Sequence, residues 1–73
     1  MNATIPDISV VVPVHNEQGA AAPLAREIAA AFEGRSYEMV FVDDASRDDT
    51  LAELRGLMTE LPALRVLSHG STA

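Results

Sequence analysis

Two nearly unbroken apolar runs alternate along the chain with two stretches whose apolar positions recur at helical spacing. The first run, Ile8 to Val14, is mostly valine. A β-branched run of this kind reads as a strand covered on both faces in a parallel sheet, because a strand wet on one face alternates apolar with polar positions. Pro13 has no backbone N–H and is expected to mark the strand's end. From there Ala21, Leu24, Ala25, Ile28, Ala31 and Phe32 form the apolar stripe of a helix whose polar side includes Arg26 and Glu27. Gly34 supplies its C-terminal stop.

The second run, Tyr37 to Val42, predicts another buried strand. It is followed by Asp43 to Asp49, six polar residues in seven, which must form a solvent-facing turn. Ser46 with Asp49 three residues later reads as a capping box, with Ser46 as the N-cap. Leu51, Leu54, Leu57, Met58 and Leu61 then make the inner stripe of a second helix, ended by Pro62. A short third strand is predicted at about Leu64 to Ser68. Strands joined through helices pair in parallel with right-handed crossovers, so the fold class is α/β: a β-α-β-α-β unit with a three-stranded parallel sheet. Met39, Met58 and Phe32 fall on apolar periodicities and are expected in the core.

Composition narrows the function classes. At 73 residues and 48% hydrophobic content, with 4 Gly and 4 Pro, the chain is globular in character rather than disordered. A core this small is marginal. Eleven acidic residues face five arginines with no lysine, a formal charge of -6, which argues against nucleic-acid phosphates and anionic lipid as partners. The absence of Cys removes disulfides, thiolate nucleophiles and Cys-based zinc sites. No apolar run approaches the roughly 20 residues needed to span a bilayer, and Met1 to Asp7 lacks signal-peptide character. The expectation is a soluble, cytoplasmic chain with no membrane segment.

The candidate chemistry lies where the strands end. In a parallel sheet the carboxyl ends of neighbouring strands are about 5 Å apart, so His15, Asn16 and Glu17 come close to Asp43 and Asp44. Ligands of open α/β sheets bind at this rim. It offers a ring for stacking, an amide, and carboxylates that accept hydrogen bonds. No GxGxxG follows the first strand and no GxxxxGK occurs, so neither dinucleotide nor P-loop binding is supported. Taken locally, Asp43 and Asp44 read as an Asx turn and helix cap. Asp48 reads as a cap, and His15 as a solvated turn residue.

The strings VVPVHNEQG, YEMVFVDDASRDDT and RVLSHG together resemble the start of family 2 glycosyltransferases of the GT-A fold, in particular the polyprenyl-phosphate (dolichol-phosphate mannosyltransferase-like) branch. The resemblance covers about residues 8–70. It implies that residues 1–73 are a truncated N-terminal segment of such a Rossmann-like, nucleotide-sugar-binding domain. It further implies a UDP- or GDP-sugar site in which Pro13, Val14 and His15 flank the nucleobase and Asp43 accepts its N–H. Glu17 would lie toward the ribose and diphosphate, and Asp44 would support the turn or the ribose. The complete enzyme would use Mg or Mn bound by a later DxD motif, with a polyprenyl phosphate or glycan as acceptor. The chain itself would hold no cofactor and would be inactive alone.

The family commonly has Gly where Ala45 and Asp49 stand, so the turn is expected to tolerate a Cβ at both places with modest strain. Two other classes compete. A receiver-like signalling module is disfavoured, because its acidic pair would follow the first strand and its lysine is absent. A non-catalytic gene fragment would leave a bare sheet edge open to self-association.

Overall fold

A computed structural model describes residues 5–69. Its elements are β1 (Ile8–Val14), α1 (Ala21–Ala31), β2 (Tyr37–Asp44), α2 (Thr50–Leu57) and β3 (Leu64–His69). The three strands form one parallel sheet in the order β1-β2-β3. The α/β architecture is therefore as the apolar periodicity predicts. Pro13 does not end β1, which continues to Val14. β1 is an edge strand, where a residue without an N–H is tolerated.

Both crossovers step in the same direction across the sheet, and connections of one hand then lay both helices on one face. That face is the core. Val14, Met39, Phe41 and Leu64 are buried there beneath Ala21, Ala22, Ala25, Leu54 and Leu57, with Val10, Val12 and Val66 packed around them. The expectation that β1 is covered on both faces is corrected: its burial alternates residue by residue, and Val11 is 62% exposed. Leu67 of β3 is likewise exposed. A β-branched run shows what both faces could bury, while the single-sided crossovers decide what these residues do bury.

The helices also differ from their sequence stripes. α1 approaches the sheet through Ala21, Ala22 and Ala25, whose small side chains allow close packing, and Leu24 is left partly in solvent at 39%. Gly34 stops the segment as expected, adopting φ 85, a left-handed conformation natural to glycine. α2 ends at Leu57 rather than running to Pro62, so Met58 rotates out of the stripe and is exposed. Phe32 is half-buried, its ring stacked on Tyr37 at 5.5 Å between centroids.

Candidate nucleotide-binding rim

Parallel register brings the predicted site residues to one level. Pro13 lies beside Val42 and Val14 beside Asp43, while Asp43 and Asp44 lie beside Ser68 and His69. Beyond that level the β1–α1 loop (residues 15–20) and the β2–α2 loop (residues 45–49) meet through their side chains. Asn16 N donates to Ser46 Oγ at 2.7 Å and Arg47 N donates to Asn16 Oδ1 at 2.7 Å. One turn further, Gln18 N donates to Asp48 Oδ2 at 3.2 Å and Asp49 N donates to Gln18 Oε1 at 3.3 Å. Gly19 N reaches Glu53 Oε1 on α2 at 3.2 Å. The two loops are thus clasped by two reciprocal pairs of bonds, each made of one residue's backbone and side chain.

Within this frame each candidate has a definite place. Asp43 is 2% exposed. Its Oδ2 accepts Ser46 N at 3.3 Å, and its Oδ1 is buried with no hydrogen-bond partner among the described residues. A buried acceptor of this kind costs free energy until a donor reaches it. His15 is an exposed residue whose Nδ1 lies 2.5 Å from the Asp44 carbonyl oxygen and whose Nε2 lies 3.2 Å from Asn16 Nδ2. Both ring nitrogens are therefore engaged. Asp44 is exposed, and its carbonyl serves the His15 ring. Glu17 is exposed, and its carbonyl accepts Ala20 N and Ala21 N at the entry to α1.

The capping box is corrected. The N-cap of α2 is Asp49, with no side-chain cap bond, and the Ser46 hydroxyl is taken by Asn16 across the loops. Asp48 performs the local capping, its Oδ1 accepting Thr50 N at 3.0 Å and the buried Thr50 hydroxyl at 2.5 Å. The partner of Ser46 is 30 residues away, so local spacing around Ser46 does not disclose it. The pairing of Gln18 with Asp48 is hidden for the same reason; its only sequence signal is that two polar loops face each other in register.

These bonds, led by that from the Thr50 hydroxyl, hold the Asp48 carboxyl below the ordinary Asp range. A depressed carboxylate contributes stability that is complete above its unfolded value, about pH 4, and lost as pH falls through the folded value. The Gln18 and Thr50 amide NMR shifts are accordingly expected to hold steady down to about pH 4 and to move together below it. Movement beginning near neutral pH would contradict this anchoring.

Backbone strain separates the two positions where the family commonly has glycine. Ala45 has φ 56, in the left-handed region, whereas Asp49 has φ -88 and is unstrained. Only Ala45 bears the conformational cost of its Cβ. Ala45→Gly is expected to raise stability by about 0.5–1 kcal/mol, the left-handed penalty less the greater freedom of glycine in the unfolded chain. Thermal unfolding followed by circular dichroism would show a rise of about 2–8 °C; a fall would show that Ala45 is not strained.

A separate depression of about 580 Å³, lined by residues that include Pro6, Arg35, Tyr37, Pro62 and Arg65, lies at the amino ends of β2 and β3. It is at the opposite pole and contains none of the rim residues. Among the described residues no three His, Asp or Glu side chains are grouped to hold a metal ion. No helix among them is long and apolar enough to cross a membrane.

The chain is 40% identical over 67 residues to undecaprenyl-phosphate 4-deoxy-4-formamido-L-arabinose transferase of Edwardsiella ictaluri (strain 93-146), a match covering 89% of the chain and 20% of that protein. It is 39% identical over 74 residues to dodecaprenyl-phosphate galacturonate synthase of Rhizobium johnstonii, covering 92% of the chain and 22% of that protein. The chain thus spans about a fifth of the length of these relatives. Residues 9–72, which include both rim loops and all three strand ends, match the model of glycosyl transferase family 2, and the chain belongs to that family.

Proposed function

We propose that the chain forms the donor-nucleotide part of a glycosyltransferase that moves a sugar from a UDP- or GDP-sugar to a polyprenyl phosphate. The observation that carries this reading is Asp43 Oδ1, a buried acceptor without a donor at the carboxyl end of the central strand. A nucleobase N–H would complete it. That oxygen is closed to solvent, so entry requires a local opening of the residues around it.

The other rim residues take complementary parts. His15, with both nitrogens engaged, offers the ring face for stacking on the base, and the Pro13 and Val14 backbone borders it. Glu17 and Asp44 stand on the exposed side, toward ribose and diphosphate. Polyprenyl phosphate as acceptor is supported by the names of the relatives, two of which carry undecaprenyl or dodecaprenyl phosphate. Divalent-metal chemistry would stabilise the departing diphosphate, but the described residues do not group to hold such an ion. On this reading the metal ligands and the acceptor-side carboxylate come from outside the chain, which binds nucleotide without turnover.

The test is a titration of the chain with UDP and with GDP, with and without Mn²⁺, followed by backbone amide NMR. Shifts concentrated at His15 to Glu17 and at Asp43 to Asp44 for one of the two nucleotides are the expected result, and they would identify the base. A dispersed spectrum that neither nucleotide perturbs would overturn the reading.

A further inference from the structure

The hydrogen bonds around His15 determine more than its position. A carbonyl oxygen only accepts, so the contact with the Asp44 carbonyl at 2.5 Å requires the proton on Nδ1. The other nitrogen is fixed through Asn16. Arg47 N–H only donates, so its 2.7 Å bond assigns the Asn16 amide oxygen to the β2–α2 loop and turns the amide nitrogen toward His15. That nitrogen, 3.2 Å from Nε2, also only donates, which requires Nε2 to be bare. All three bonds are satisfied together by one ring state, the neutral Nδ1–H tautomer.

Asn16 is built for this task. Its backbone has φ 52, a left-handed conformation that asparagine tolerates better than other residues with a side chain. Its N–H is held by Ser46 Oγ at 2.7 Å. Its backbone, amide oxygen and amide nitrogen thus each have a partner, two on the opposite loop and one on the ring. We propose that Asn16 is a positioning residue that fixes His15 as the neutral Nδ1–H tautomer, pins the ring along its edge, and so presents its face to the donor nucleobase. The last step rests on the donor-site reading above; the tautomer does not.

Imidazole ¹⁵N spectra of the full chain, taken where the ring is neutral and assigned against a His15→Gln chain, test the proposal. The expected wild-type pattern is a protonated Nδ1 and a bare Nε2. Asn16→Gly deletes the side chain while glycine takes the same φ without strain; it is expected to release the ring to a mixture of tautomers and to weaken UDP or GDP binding about five- to tenfold. Asn16→Asp keeps the acceptor for Arg47 but sets an acceptor against Nε2, and is expected to move the neutral ring toward the Nε2–H tautomer, the proton leaving Nδ1 as one arrives at Nε2. A generally loosened loop would not produce these opposite signatures in two chains that retain dispersed amide spectra. A wild-type ring carrying its proton on Nε2, or a tautomer unchanged by either substitution, would overturn the proposal. An Nδ1–H ring in a chain that binds neither nucleotide would refute the donor-site reading and leave the tautomer assignment in place.

Discussion

Asp43→Ala is expected to weaken UDP or GDP binding by about 10- to 100-fold while leaving the unfolding temperature nearly unchanged. The two halves of this result have different causes. A hydrogen bond to a charged acceptor is worth about 1.5–3 kcal/mol, and each 1.4 kcal/mol is about tenfold in affinity. Stability loses the bond from Ser46 N to Oδ2 but is relieved of the unpaired buried Oδ1, two effects of about 1 kcal/mol and opposite sign. Calorimetric titration beside thermal denaturation would separate them. Unchanged affinity would remove Asp43 from the binding site, and a large loss of stability at unchanged affinity would return it to the role of a turn residue.

Phe41→Ala is expected to have the opposite profile and to abolish the folded state. Phe41 is fully buried in β2, the central strand, which pairs with both neighbours. Truncating a buried Phe to Ala costs about 3–5 kcal/mol, whereas a domain this small rarely commands more than about 3–5 kcal/mol in total. Loss of amide dispersion and of cooperative unfolding is the expected readout. A variant that still unfolds cooperatively, only a few degrees lower, would show that the core carries more stability than its size allows. The corresponding change at Met58, exposed beyond the end of α2, is expected to have little effect.

The sequence discloses some of this architecture and conceals the rest for identifiable reasons. The strands are legible because apolar runs at Ile8–Val14 and Tyr37–Val42 read as strands whichever face is covered, and their order with the intervening helices dictates parallel pairing. The rim is legible for the same reason, since parallel strands deliver their carboxyl ends to one level. What stays hidden depends on partners distant in the chain. Ser46 has the spacing of a cap, yet its hydroxyl is claimed by a backbone amide 30 residues earlier. The stripe Leu51 to Leu61 has the spacing of one long helix, but α2 stops at Leu57. Valine at position 11 looks identical to valine at position 12, and only the side on which the helices lie makes the first exposed and the second half-buried.

The paired bonds that join the loops also bear on how this end of the molecule moves. Asn16, Gln18, Arg47 and Asp49 each give a backbone amide to a side chain on the other loop, so neither loop can leave without freeing amides on both. Local opening events in proteins tend to follow such cooperative groupings. The two loops are therefore expected to open as a single unit although they are separated by a helix and a strand, and hydrogen exchange at these four amides should report one common opening free energy.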